Sequence, residues 1–231
     1  MADAWRLAVG TLTVVPVRPP RSVTRATARS ALLLAPLAVL PLALAVAVVL
    51  GLGQALALPP LAVGFLAVGV LALGSRGLHW DGLSDTVDGL TASHDAARSL
   101  EVMKTGTSGP AGVLATTVVA GVQAAAFAAL WDDLLLVVLL VCLSRCALWV
   151  VCCTRVPPAR RDGLGVGFTG SVPLALAATA VLLLGVVGGV VVALLVAHTV
   201  RRLGGATGDV MGAAVELGLT AMLLTAVAVV G

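Results

Sequence analysis

Residues 76–89 read RGLHWDGLSDTVDG and follow, after Ser75, an apolar run, LAVGFLAVGVLALG, at residues 61–74. The whole chain has eleven acidic residues, and three of them, Asp81, Asp85 and Asp88, stand in this segment. Their spacings of four and three residues place the carboxylates on one face of a helix. Like charges on one face repel each other, so a cation must compensate them. The physical candidate is a divalent metal bound by carboxylate oxygens.

Composition places the chain among integral membrane proteins. It is 60% hydrophobic and 11% charged, with a mean hydropathy of +1.12, whereas a soluble domain is roughly 25% charged. The length of 231 residues suggests one compact bundle, so we predict a single transmembrane catalytic domain over residues 1–231. The expected fold is an all-α, polytopic helix bundle in a lipid bilayer. We expect no nucleic-acid partner.

Apolar runs mark the expected membrane spans. We predict five clear spans, at residues 31–50, 61–74, 113–130, 134–153 and 210–230. Pro36 and Pro41 should kink the first of them. The helix of the second span is expected to continue unbroken into the acidic segment. Residues 5–15 are predicted to form a short helix that lies in the membrane interface.

Positive charge decides how often the chain crosses the membrane. Residues 172–200 are too long and too glycine-rich for one comfortable span, so we predict two short helices that turn near Gly185, Gly188 and Gly189. The chain then crosses about seven times, and thirteen of its fourteen Lys and Arg residues fall on one side. The other one, Arg145, lies within a span. The positive-inside rule therefore favours a cytoplasmic N-terminus and a cytoplasmic site.

A second acidic element opens the last span. Asp209 and Glu216 are seven residues apart and share a helical face, with Gly212 between them. Glycine at that position allows another helix or a ligand to approach closely. Glu216 lies about two turns into an apolar helix, where an ionisable side chain is costly and indicates a function. The alternative is a structural ion pair between Glu216 and Arg145.

Two acidic helices that face each other would form a magnesium site. Mg²⁺ keeps few protein ligands and takes substrate phosphate oxygens for the rest, and positive side chains nearby suit anionic phosphates. The candidate substrate ligands are Lys104, Arg160, Arg161 and Arg76. The alternative for Arg160 and Arg161 is a role in membrane topology alone. His79 has four open roles, as a base, a metal ligand, a hydrogen-bond partner of a carboxylate, or a purely structural residue.

Residues 77–89 resemble the signature of the cobalamin synthase family, the adenosylcobinamide-GDP ribazoletransferases. The resemblance extends in the same order to residues 100–104, 109–113, 159–165 and 207–216. It implies an inner-membrane enzyme that joins adenosylcobinamide-GDP to α-ribazole or α-ribazole 5′-phosphate and releases GMP. It also implies Mg²⁺ as the cofactor.

The resemblance leads to a mechanistic hypothesis with named residues. The metal ligands would be Asp81, Asp85, Asp88 and Asp209, which hold one or two Mg²⁺ ions on the pyrophosphate. A ribose hydroxyl of the ribazole attacks the phosphorus attached to cobinamide, and Asp88 or Glu216 takes its proton. The catalytic candidates are therefore these four aspartates, Glu216 and His79.

Two other classes of protein stay open at this point. A CDP-alcohol phosphotransferase acting on lipid performs the same type of exchange, but its Asp-Gly-x₂-Ala-Arg pattern is absent after Asp81. A polytopic transporter would need ionisable groups near the bilayer midplane and often has repeated halves. Here the carboxylates cluster at the predicted cytoplasmic ends of the spans.

Overall fold

The structure is a computed structural model that describes residues 1–230, apart from the side chain of residue 164. Over these residues the chain forms helices and no β-strand, which confirms the all-α fold. The α-helices are, in order, α1 Ala2–Leu12, α2 Arg25–Ala38, α3 Leu40–Ala55, α4 Pro60–Gly74, α5 Leu78–Ala92, α6 Ala96–Val102, α7 Pro110–Ala129, α8 Leu134–Leu143, α9 Ala147–Val151, α10 Leu164–Phe168, α11 Leu174–Leu183, α12 Gly185–Leu203 and α13 Gly208–Val230.

Several of these helices are long and apolar enough to cross a membrane. Within residues 1–230 there are five such segments, at 25–55, 110–129, 134–151, 185–203 and 208–230, or six if α4 and α5 count as one bent span. The apolar helix α11 has ten residues and extends only about 15 Å, half of a hydrocarbon core of about 30 Å. The polytopic bundle is thus confirmed, and the seventh crossing stays a prediction.

The first span is broken where its prolines predict. Helix α2 contains Pro36, helix α3 has Pro41 in its first turn, and the two helices meet at Val39. A proline lacks the N–H that an interior helical residue donates, so each one interrupts the hydrogen-bond ladder. The helix is therefore interrupted between the two prolines, at the place where the kink was predicted.

The helix of the second span does not continue into the acidic segment, and that expectation was wrong. The axes of α4 and α5 differ in direction by 92°. The break falls at Arg76 and Gly77, whose φ angles of 58° and 70° are left-handed. Glycine adopts the left-handed conformation freely. The same conformation at Arg76 is less favourable by about 1–2 kcal/mol, because its Cβ crowds the backbone. The Arg76 guanidinium donates a hydrogen bond of 2.7 Å to the carbonyl of Gly10, which helps to fix the turn. Helix α5 therefore lies across the end of the bundle.

Contacts between loops define two ends of the bundle. At one end, the Gln54 amide donates hydrogen bonds to the Trp131 carbonyl at 2.6 Å and to the Asp132 carboxylate at 2.9 Å. At the other end, Arg202 of α12 donates to the carbonyl of Ser93, just after α5. The loops before α7, after α9 and before α13 also meet at this second end, which we call the polar end.

Residues 172–200 form two helices, as predicted, with the turn at Gly185, where φ is 71°. Gly188 and Gly189 lie inside α12 and do not form the turn. A Cβ added to Gly189 would stand 2.6 Å from the carbonyl oxygen of Val181, so α11 and α12 pack closely against each other. Helix α12 has 19 residues and is longer than the short helix expected here.

The N-terminal helix α1 spans residues 2–12, close to the 5–15 predicted, and packs along α2. Its buried side chains are small or aliphatic, and include Ala4, Ala8 and Leu12. The amide of Val14 then donates to the carbonyl of Gly74 at the end of α4. These contacts fix α1 at the polar end of the bundle, and its place in the membrane interface stays a prediction.

Candidate active site

The two acidic helices α5 and α13 cross in direct backbone contact. A Cβ added to Gly82 would lie 2.6 Å from the carbonyl oxygen of Asp209, and one added to Gly212 would lie 2.9 Å from the Cα of His79. Glycine is required at both positions because a side chain would force the helices apart. The predicted close approach at Gly212 is confirmed, and the crossing brings the residues next to Gly82 beside the first turn of α13.

Asp81 and Asp209 line one cleft at this crossing. The cleft has a volume of about 200 Å³, and its lining also includes Arg160, Asp162, Gly163, Gly165 and Val166. Asp209 is half-buried and accepts a hydrogen bond of 3.0 Å from the Thr207 hydroxyl. Asp81 is exposed to the cleft. The structure therefore brings together the two carboxylates that the sequence assigns to different helices.

Asp85 lies one turn further along α5 and experiences the charge of the whole cluster. Partial burial raises the pKa of Asp85 from 3.8 to about 6, and the negative charges of Asp81, Asp209 and Asp88 add to this effect. The positive charge of Arg160 opposes it. Carboxylates that raise the pKa of a neighbour would be stabilised by a bound cation, which relieves their mutual repulsion.

Asp88 has a different position from the other three aspartates. It is buried, and its two carboxylate oxygens accept hydrogen bonds from the amides of Gly109 at 2.7 Å and Gly112 at 2.8 Å. These amides belong to the start of α7, where free N–H groups and the helix dipole favour a negative charge. The carboxylate therefore fixes α7 to α5, and its oxygens are already in use.

His79 and Glu216 form a separate buried pair beneath the cleft. His79 Nδ1 lies 3.5 Å from Glu216 Oε1, and both side chains are almost fully buried. The other carboxylate oxygen, Glu216 Oε2, accepts a hydrogen bond of 2.9 Å from the Gln123 amide of α7. Arg145 instead donates to the Val141 carbonyl at 3.0 Å and to the hydroxyl of its neighbour Ser144. The alternative of a direct Glu216–Arg145 ion pair is not what the structure shows.

The positively charged residues predicted to bind substrate lie in different parts of the structure. Arg160 reaches the cleft, where Nη1 lies 3.7 Å from Asp209 Oδ2 and Nη2 donates to the Leu100 carbonyl at 2.9 Å. Lys104 forms an exposed ion pair of 2.8 Å with Asp162, and this pair lowers the pKa of Asp162. Arg161 is exposed.

Arg76 is not among the residues that line the acidic cleft. Its guanidinium donates to the carbonyl oxygens of Gly10 and Thr11 in the last turn of α1. Cations favour this end of a helix, where backbone carbonyls are unpaired. The structure therefore gives Arg76 a role in fixing α1, whereas we predicted that it binds substrate.

The donor set of the cleft fits magnesium. Across the described residues, no group of three or more His, Cys, Asp and Glu side chains is arranged to hold a metal alone. Mg²⁺ does not need such a group, since one or two carboxylates and the substrate phosphates commonly complete its octahedral shell. Asp81 and Asp209 provide hard oxygen donors at the mouth of the cleft. The Mg²⁺ cofactor itself stays a prediction.

Gln123 is the residue that sequence reasoning missed. It is fully buried and contacts both the carboxylate and the backbone carbonyl of Glu216. An amide side chain in the middle of the apolar helix α7 was the signal that could have found it, because buried polar groups require partners. Thr207 was missed in a similar way, although its hydroxyl holds Asp209 and accepts from the amide of Val210.

Comparison with known proteins identifies the family. Residues 4–227 match the family model described as cobalamin-5-phosphate synthase. A protein of Nocardioides sp. named adenosylcobinamide-GDP ribazoletransferase is 70% identical over 224 residues, which cover 97% of this chain and 98% of the relative. A protein with the same name from Frankia casuarinae is 35% identical over 95% of this chain and 92% of its own length. Another, from Bradyrhizobium diazoefficiens, is 34% identical over 96% of this chain and 92% of its own length. No solved structure matches the chain. The chain therefore belongs to the cobalamin-5-phosphate synthase family and is an enzyme of cobalamin synthesis.

Proposed function

We propose that the enzyme joins adenosylcobinamide-GDP to α-ribazole or α-ribazole 5′-phosphate and releases GMP. The names of the relatives support this pair of substrates. The observation that carries the chemistry is the backbone contact of Gly82 with Asp209, which brings Asp81 and Asp209 into one cleft. The family match favours this reaction over a lipid phosphotransferase and over a transporter, because the relatives are named for neither of those activities.

The reaction exchanges one phosphorus–oxygen bond for another. A ribose hydroxyl oxygen of the ribazole forms a bond to the phosphorus attached to cobinamide, and the bond from that phosphorus to the bridging oxygen breaks. GMP leaves with the bridging oxygen and its electron pair, and the hydroxyl proton passes to a carboxylate. Phosphoryl exchange of this kind depends mainly on positioning and on neutralising charge. A Mg²⁺ ion held by Asp81 and Asp209 would neutralise the charge that develops on GMP.

The geometry favours Asp85 as the group that takes the proton, because Asp81 and Asp209 are the proposed ligands of the cation. Asp88 already accepts two backbone hydrogen bonds, and Glu216 is buried against His79 and Gln123. Asp85 is only partly buried and lies one helical turn from Asp81, where the hydroxyl of a substrate bound at the cation can come within hydrogen-bond reach.

Arg160 is the best-placed ligand for the pyrophosphate. It lines the cleft beside Asp209, and a guanidinium can bind two phosphate oxygens at once. Lys104 and Arg161 are exposed at the rim, so they would attract the anionic substrate rather than fix it. Asp162 pairs with Lys104 in the absence of substrate and would release it when a phosphate arrives.

The polar end would face the cytoplasm. In the predicted topology, thirteen of the fourteen positive residues fall on the same side of the membrane as this end. Positive residues remain on the cytoplasmic side of short loops. A cysteine-accessibility experiment with an impermeant reagent tests the orientation: Thr105→Cys should react only from the cytoplasmic side.

Product analysis tests the proposed function. Purified protein with adenosylcobinamide-GDP and α-ribazole 5′-phosphate should release GMP and form adenosylcobalamin 5′-phosphate in equal amounts, and only when Mg²⁺ is present. Asp81→Asn should remove this activity while the protein still accumulates in the membrane. GMP release that is independent of the ribazole substrate would contradict the proposal, since it would indicate simple hydrolysis.

A further inference from the structure

An apolar cavity that is partly open lies directly beside the acidic cleft. Helices α1, α2, α5 and α13 form most of its wall, and its lining is mainly aliphatic with the ring of Phe168. Leu78 and Gly208 line both the cavity and the cleft. A substrate that reaches the carboxylates can therefore place a second, apolar part in this cavity.

The cavity is built to a definite size and polarity. Its interior holds about 60 Å³, and because one water needs roughly 10–15 Å³, this corresponds to about four to six waters. That space suits a fused two-ring heteroaromatic system. The polar side chains in the wall are Thr11 and His79, and His79 is 3% exposed.

The size and polarity select one part of the proposed substrates. The corrinoid ring is far too large for this space. Guanine carries several donors and acceptors that a largely aliphatic wall would leave unpaired, at a cost in affinity. A benzimidazole-type base has an apolar fused ring and few polar atoms, so it matches an apolar wall with one imidazole and one hydroxyl.

We propose that this cavity binds the benzimidazole-type base of the ribazole substrate. With the base in the cavity, the attached ribose would lie at Leu78 and Gly208, where the cavity meets the cleft. Its hydroxyl would then point toward Asp81 and Asp209. The inference deepens the proposed function and rests on it for the identity of the nucleoside.

Substitutions in helix α1, which forms part of the cavity wall, test the inference. Ala8 lines the cavity and is 2% exposed, whereas Ala2 of the same helix is exposed and lies outside it. Ala8→Leu fills the space, and Ala2→Leu is the matched control. Ala8→Leu should raise the KM for α-ribazole 5′-phosphate about tenfold, because the leucine side chain occupies space that the base needs. The KM for adenosylcobinamide-GDP should not change, and Ala2→Leu should behave as wild type.

Inhibition by free benzimidazole gives a second measurement on the wild-type enzyme. Benzimidazole should compete with α-ribazole 5′-phosphate and not with adenosylcobinamide-GDP, and this pattern decides the question if Ala8→Leu does not accumulate. The inference is overturned if Ala8→Leu leaves both KM values unchanged or raises both equally, or if benzimidazole does not compete with the nucleoside. If the wild type releases no GMP, the proposed function fails. Calorimetric binding of benzimidazole to wild type and Ala8→Leu then still tests the cavity, and equal affinity for both would overturn its assignment.

Discussion

Replacement of Gly82 by alanine should displace α13 from α5 at the point where the site is formed. The added Cβ would stand 2.6 Å from the carbonyl oxygen and 3.0 Å from the Cα of Asp209, whereas ordinary contact begins at 3.4 Å. Both of these atoms are backbone, so no flexible side chain can move aside. The two helices must separate locally by about 0.8 Å, the difference between the shortest contact and the ordinary one.

The expected loss of activity follows from that displacement. A misplacement of about 1 Å at a reacting centre costs on the order of 10²-fold in rate. Overpacking costs only about 1–3 kcal/mol, against a typical stability of about 5–15 kcal/mol, so Gly82→Ala should still fold. Gly121→Ala in α7 is the matched control, because a Cβ there meets nothing within 4 Å.

The assay is GMP release at saturating concentrations of both substrates, normalised to the amount of folded protein in detergent. Gly82→Ala should lose about two orders of magnitude in rate, and Gly121→Ala should keep the wild-type rate. If Gly82→Ala is as active as Gly121→Ala, the backbone contact between α5 and α13 does not set the geometry of the site.

Further substitutions separate residues that hold the structure from residues that act on substrate. Asp88→Asn should lower the thermal unfolding midpoint, because it weakens two charge-assisted hydrogen bonds worth about 1.5–3 kcal/mol each, and an unchanged midpoint would contradict this role. Asp81→Asn should leave the midpoint unchanged and remove turnover. In steady-state kinetics, Arg160→Ala should raise the KM for adenosylcobinamide-GDP more than Lys104→Ala; the reverse order would place the pyrophosphate at the rim. Gln123→Leu should lower the free energy of unfolding by about 1–3 kcal/mol, since it removes a partner of a buried carboxylate.

Much of the site was predictable because helical periodicity and membrane topology constrain it. The spacing of Asp81 and Asp85 placed them on one helical face, and the charge pattern placed Asp209 at the same end of the bundle. Gly212 indicated that another helix approaches α13 closely, whereas the matching role of Gly82 was not predicted. These signals depend on residue spacing within one helix or on the positive-inside rule, so they can be recognised from the sequence alone.

The parts that sequence reasoning missed depend on partners distant in the chain. The bend before α5 requires a left-handed residue at Arg76, and an arginine gives no hint of that conformation. Asp88 has the helical spacing of a metal ligand, but its carboxylate meets the start of α7, and only the packing shows this. Likewise, the partners of Glu216 come from α5 and α7 rather than from Arg145.

The dependence of GMP release on Mg²⁺ concentration tests the central claim most directly, because a cation shared by α5 and α13 must respond to changes on either helix. Asp81→Glu and Asp209→Glu each keep a carboxylate but move it by one methylene, so each should lower the maximal rate and shift the half-saturating Mg²⁺ concentration upward, while Asp3→Glu on α1 should change neither. If either cleft variant keeps the wild-type rate and the wild-type Mg²⁺ dependence, the two helices do not hold a common ion.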